Sequence, residues 1–309
     1  FDIEVRNSET VAHLNVPMAS VKKESLKAIS EKLAQEIDSL PKFPESVLRL
    51  QSMIEDPDSE ITDIARTIST DPSLTAGLLK TVNSAQFMLP KRVDNIVEAV
   101  KMLGLRGLRN MLFSYGTREV LGDDYSQNTK DLWEHSKQTG FYAYTLARNV
   151  SKKRDILDDV FVGGVLHDMG KIVMSHVNPD MLGTIRSFCL NKEIEPELLE
   201  DLVSGVNHAE IGGLLAERWN FPEALVDAIR YHHAPTAAPE EFRDVVYTVY
   251  LANYLVNRTD EDPADTADVD DEVLRSFGIR NNEQLNSIRE KLAQAFKREF
   301  QRKQEQASN

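Results

Sequence analysis

The stretch GVLHDMGK, residues 164–171, sets His167 and Asp168 side by side behind Val162, Val165 and Leu166, with Gly170 and Lys171 following. Polar side chains carried towards an apolar core cost stability unless they find partners, so the doublet raises the question of what it holds. Five of the seven histidines, His135, His167, His208, His232 and His233, lie in the second half of the chain, at or near helix ends or on one helical face. Asp131 stands one helical turn before His135, so both point the same way. Neutral imidazole and carboxylate oxygen suit Fe, Mn, Zn or Ni, and a carboxylate can bridge two ions while each histidine serves one. Asp131, His135, His167, Asp168, His208, His232 and His233 are therefore candidate ligands for one or two divalent ions. Lys171, three residues after Asp168, could meet a phosphate beside such an ion or simply complement a helix end as a solvated lysine. His13 and His176 fall outside the pattern and read as structural.

Other catalytic patterns fail. A phosphate-binding loop needs Gly-x-x-x-x-Gly-Lys-Ser/Thr, but Gly164 is one residue too far from Gly170-Lys171 and Ile172 replaces the hydroxyl. No Gly-x-Ser-x-Gly elbow is present. Cys189, in RSFCLNK, has no neighbouring base in sequence and reads as an inert thiol.

The elements that must position these groups read as helices. Leu26, Ile29, Leu33, Ile37 and Leu40 form one stripe, and LPKFPE then breaks the chain so that Pro44 can occupy the first turn of the next helix. Asp56-Pro57 and Asp71-Pro72 punctuate short helical patterns that include Ile61, Ile64 and Ile68, then Leu74, Leu78 and Val82. Ile96, Val100 and Leu103 give a helix ending at Gly104, and LRGLRNMLFSYG gives another stopped by Gly116. Strand-like alternation is nearly absent, so the fold class is all-α. Residues 1–24 show no sustained period and read as a tail or linker. The polar stretch 122–130 is the best boundary, separating an N-terminal helical lobe (25–122) from a histidine-bearing helical lobe (125–258). Residues 259–309 add an acidic loop, with eight acids and no base in 260–272, and a final amphipathic helix carrying Ile288, Leu292 and Phe296.

Composition limits the function classes. The 309 residues are 41% hydrophobic and 28% charged, as expected of a globular protein, and no apolar run approaches the roughly 20 residues of a membrane helix. A net charge of -14 disfavours non-specific binding to DNA or anionic membranes, and Arg106 and Arg109 are too few to form a nucleic-acid surface. One cysteine and no secretory signal fit a reducing cytoplasm.

The helix with His135, the doublet His167-Asp168 followed by Gly170-Lys171, then His208 and the pair His232-His233 resemble the HD superfamily of metal-dependent phosphohydrolases. Upstream, LPKFPESVLRL, EDPDSEITDIARTISTDPSLTAGLLKTVNSAQF and AVKMLGLRGLRNML are similar to the HD-related output domain, HDOD. The resemblance covers roughly residues 37–255 and implies a two-lobed helical fold in bacterial signalling, often without catalysis. The chain is similar also to the HD-GYP phosphodiesterases. Their metal pattern falls on Asp131, His135, His167, Asp168, His208, His232 and His233, and their phosphate-contacting lysine on Lys171. Two departures stand out: no Gly-Tyr-Pro follows His232-His233, and Asn253 in YLANYLVN takes the place of the last metal-ligating aspartate. An uncharged amide there removes a negative ligand that would balance the cations and help acidify bound water.

The expected function is that of a cytoplasmic signalling protein whose HDOD body acts as a binding or output module towards a signalling partner. A metal-dependent phosphohydrolase or phosphodiesterase with Asp168 and Lys171 as catalytic residues, acting on a phosphate ester or cyclic dinucleotide, is the alternative. The output surface is expected around Asn83-Ser84 and residues 105–110.

Overall fold

A computed structural model describes residues 2–6, 9–13, 42–83, 92–121, 127–177 and 206–307. The chain divides into two compact units, residues 1–39 with 173–207, and residues 40–172 with 208–309. In the first unit, β1 (Asp2–Arg6) and β2 (Glu9–His13) pair antiparallel, Asp2 opposite His13 and Arg6 opposite Glu9. The pairing accompanies a brief alternation, Ile3 and Val5 between charged residues, too short to register as a sustained period. The Leu26–Leu40 stripe, Ser84 and Cys189 lie outside the described residues.

Among the described residues the second unit is all-α. It opens with α1 (Glu45–Glu55), α2 (Ile61–Ser69) and α3 (Pro72–Val82). Pro44 stands just before α1 rather than inside its first turn. Asp71 accepts a hydrogen bond from the Leu74 amide at 3.0 Å and Pro72 fills the first helical position, so the Asp-Pro pair is a helix start. Helix α4 (Ile96–Leu121) kinks at Gly104, whose φ of 68° favours glycine. The expected stop at Gly116 does not occur, because α4 continues to Leu121. Gly116 is a packing residue instead: a Cβ there would collide with the Phe43 ring. That ring lies 6.0 Å from Phe113, 5.2 Å from Trp219 and 5.6 Å from Phe221, so the missing side chain admits an aromatic cluster that ties α1 and α4 to the histidine-bearing helices.

The helices that carry or position the candidate ligands and Asn253 are α5 (Gln127–Leu146), α6 (Leu157–Leu166), α7 (Met169–Val177), α8 (His208–Arg218), α9 (Glu223–Arg230) and α10 (Arg243–Val256). Helices α5 and α6 cross backbone to backbone, since a Cβ on Gly164 would sit 2.7 Å from the Gly140 Cα. Gly163 likewise lets α6 approach Ala228 and Val249. The glycine pair in VGGVLHD is therefore what brings the His167-Asp168 end of α6 up to its neighbours.

The LRGLRN stretch of α4 is rooted in α6. Arg106 pairs with Asp159 and donates to the Asp155 carbonyl at 2.7 Å, while Asn110 donates to Asp159 at 2.6 Å. Asp159 and Asn110 are 1% and 0% exposed. Asn83 is also engaged internally, exchanging hydrogen bonds of 2.7 and 2.8 Å with the Val93 backbone. Met102 and Leu105 remain the exposed apolar side chains of this segment.

The acidic run is ordered by its own carboxylates: Asp265 and Asp270 accept from backbone amides and cap the turns that lead into α11 (Asp271–Phe277), and Arg258 and Arg289 pair with Asp262 and Asp260. Helix α12 (Asn282–Ala307) packs on the body through Phe296, 5.4 Å from the Phe141 ring and 6.4 Å from that of Tyr142. Among the described residues no helix is long and apolar enough to cross a membrane.

Candidate metal centre

Six of the candidate side chains meet at one place. Asp168, His208, His232 and His233 form one group and His135, His167 and Asp168 another; within each group the ligand atoms lie within 4.8 Å of one another. The two carboxylate oxygens of Asp168 face different groups. Oδ1 is 3.2 Å from His208 Nε2 and 3.7 Å from His232 Nε2, whereas Oδ2 is 3.3 Å from His167 Nε2 and 3.8 Å from His135 Nε2. Asp168 thus occupies the bridging position between two half-sites.

Local structure aims each imidazole. His167 caps the end of α6 and donates from Nδ1 to the Gly164 carbonyl at 2.8 Å; His232, in the turn after α9, donates from Nδ1 to the Ile229 carbonyl at 2.6 Å. Both bonds fix the tautomer and leave the Nε2 lone pair facing the cluster. His208 is the first residue of α8, and Gly170 permits its approach because a Cβ there would run into the His208 carbonyl. The Gly170 that follows the doublet is therefore required by backbone contact. His233, the least buried of its group, brings Nε2 to 3.2 Å from His208 Nε2.

The donor set fits a divalent ion. His208 Nε2 lies 3.2 Å from the Nε2 atoms of both His232 and His233, a spacing close to the roughly 3.0–3.4 Å between ligands that share one ion at about 2.1 Å. Three imidazole nitrogens cannot all satisfy one another, and Asp168 Oδ1 is buried without a well-directed hydrogen bond. Zn, Mn, Fe and Ni all accept this set of imidazoles and one carboxylate, so the chemistry defines a class of ion and not a single metal.

Electrostatics hold the imidazoles of His135, His232 and His233 neutral and the Asp168 carboxyl ionised. Burial pulls the His135 imidazole down to about 4 and that of His233 to about 2, with the nearby His167, His208 and Lys171 adding to burial and Asp168 opposing it. Burial and the adjacent His233 hold His232 well below its usual value. Burial alone would raise the Asp168 carboxyl, but His167 and Lys171 outweigh it and hold the group well below the ordinary carboxylate range. Lys171 Nζ sits 2.9 Å from Asp168 Oδ1 and 3.0 Å from Oδ2.

Asp131 is exposed and belongs to neither group. Lying on the same helical face as His135 does not place it at the same depth, because four residues separate it from His135 by about 6 Å along α5. At the other end, Asn253 on α10 is buried, and its Oδ1 lies 3.1 Å from His135 Nε2. Asn257 was not anticipated from the sequence; its Nδ2 donates to the Asn253 carbonyl at 3.1 Å and to Oδ1 at 3.4 Å. The only sequence signal for it is its place one helical turn after Asn253.

Fold and site together define a helical protein with a buried histidine-aspartate centre able to hold a divalent ion. The HDOD domain matches residues 40–235, and the chain belongs to the HDOD family. A protein from Treponema pallidum (strain Nichols) is 35% identical over 300 residues, which are 97% of this chain and 58% of that protein. The chain thus spans little more than half the length of this relative. A crystal structure from Shewanella amazonensis SB2B, provisionally named a phosphohydrolase, is 25% identical with a TM-score of 0.63, covering 86% of this chain and 94% of that one. An HDOD domain protein of unknown function from Geobacter sulfurreducens is 24% identical with a TM-score of 0.66, covering 90% and 96%.

Proposed function

We propose that this chain is an HDOD output module of a cytoplasmic signalling protein: its histidine-aspartate centre holds a divalent ion as a structural core, and it acts by binding a signalling partner rather than by turning over a phosphoester. One observation carries the reading. Where the HD pattern places a last acidic ligand, Asn253 presents a neutral amide oxygen to His135 at 3.1 Å. The centre therefore has a single carboxylate, Asp168, with Lys171 against it, which is too little negative charge to balance more than one dication or to favour ionised water beside it. When bound, the ion would supply Lewis acidity and cross-link the α6–α7 turn, α8 and the turn after α9. In this reading the N-terminal lobe, 25–122, offers the output surface. With Asn83, Arg106 and Asn110 engaged inside the fold, that surface centres on exposed Met102 and Leu105.

The test compares wild type with His167→Ala and Asp168→Asn on bis-p-nitrophenyl phosphate and a cyclic dinucleotide, with metal supplied. Equal background rates in all three are expected, and hydrolysis that depends on His167 and Asp168 would overturn the reading. The phosphohydrolase alternative keeps one specific support, the Lys171 ammonium beside Asp168, where a phosphate oxygen could be met.

A further inference from the structure

The hydrogen bonds around Asn253 can be followed atom by atom. The backbone carbonyl of Asn253 can only accept, so Asn257 must turn its amide nitrogen towards it, at 3.1 Å. The same Nδ2 lies 3.4 Å from the side chain of Asn253, which must therefore present Oδ1 on that face. The same oxygen is 3.1 Å from His135 Nε2. An amide oxygen carries no proton, so the proton between them belongs to His135 Nε2, and that nitrogen has no lone pair left for a metal.

We propose, building on the metal-binding reading above, that the centre is mononuclear. One ion is held by Asp168 Oδ1, His208, His232 and His233, while the Asn253–Asn257 pair locks His135 as a hydrogen-bond donor and closes the second half-site. Asn257 is a positioning residue that acts through the orientation of Asn253. The charges agree, since two dications set side by side would share a single carboxylate next to the Lys171 ammonium, in a cavity whose ligands are largely buried.

Metal content of the full chain, measured by plasma mass spectrometry after loading with excess zinc and desalting, separates the cases. About one ion per chain is expected in wild type and in His135→Ala, less than about a fifth of that in His208→Ala, and about two ions in Asn253→Asp, which restores an anionic ligand. Two ions in wild type, loss of the ion in His135→Ala, or a single ion in Asn253→Asp would each overturn the proposal. Absence of any ion from wild type would overturn instead the metal reading on which it rests. Nitrogen-15 spectra of histidine-labelled wild type give an independent readout, in which His135 shows the Nε2–H tautomer; an Nδ1–H tautomer would overturn the lock whatever the metal content.

Discussion

Asp159→Ala should be among the most damaging substitutions outside the metal centre, although residue 159 touches no candidate ligand. The carboxylate is 1% exposed and serves two partners from α4, the Arg106 guanidinium and the Asn110 amide. Removing it deletes a hydrogen bond between a charged acceptor and Asn110, worth about 1.5–3 kcal/mol, and strands a buried amide donor at a further 1–3 kcal/mol or so. The Arg106 part is discounted, because its side chain is 48% exposed and water can take over its donors. The sum is a loss of about 2.5–6 kcal/mol, which brackets the roughly 3–5 kcal/mol seen when one partner of a buried charged pair is removed. Arg106→Ala should cost less than Asp159→Ala, since Asn110 still satisfies the carboxylate. Urea unfolding followed by tryptophan fluorescence on the two single variants and the double variant measures both losses and their coupling, for which about 1–3 kcal/mol is expected. A loss under about 1 kcal/mol in Asp159→Ala, or strict additivity in the double variant, would refute the view that the LRGLRN segment is rooted in α6 through this carboxylate.

Three further outcomes follow from the packing and the charges. Gly116→Ala drives a methyl group into the Phe43 ring and should cost about 1–3 kcal/mol in thermal or urea unfolding; an unchanged midpoint would mean that the aromatic cluster gives way freely. Phe296→Ala should cost about 2–4 kcal/mol by exposing the faces of Phe141 and Tyr142 yet leave metal content unchanged, and loss of metal would contradict the separation of α12 from the centre. In chelator-stripped protein, His135 and His233 are neutral in the fold, with values lowered to about 4 and about 2, while the unfolded chain takes up protons near 6.5. Their contribution is therefore fully present above about pH 6.5 and is lost as the pH falls towards 4, by up to about 1.4 kcal/mol per unit for each group. Unfolding free energies between pH 7.5 and 5 check this, and a flat profile would contradict it.

The helical pattern and the histidine spacing were legible because periodicity and residue type survive in one dimension. His167-Asp168 stood out as polar groups behind an apolar run, and five histidines at helix ends pointed to convergence. Depth was not legible. Asp131 and His135 share a helical face in projection, and only the packing of α5 leaves the first exposed while burying most of the second. Nor was the reason for a glycine: Gly104 bends the backbone, but Gly116, which looked like a stop, makes room for Phe43, which stands just before α1, far upstream in sequence. The Asn253 substitution was visible as a missing charge. Its hydrogen bond to His135 depends on how α10 meets α5, which no local pattern encodes, whereas the clamp by Asn257 is a contact one helical turn away.

The most direct test of a single ion in a closed half-site is a crystal of the zinc-loaded protein with anomalous diffraction collected above and below the zinc edge. One peak is expected, about 2.0–2.3 Å from Asp168 Oδ1 and the Nε2 atoms of His208, His232 and His233, with His135 still hydrogen-bonded to Asn253. A second peak between His135 and His167, or no peak with the imidazoles drawn apart, would contradict the account.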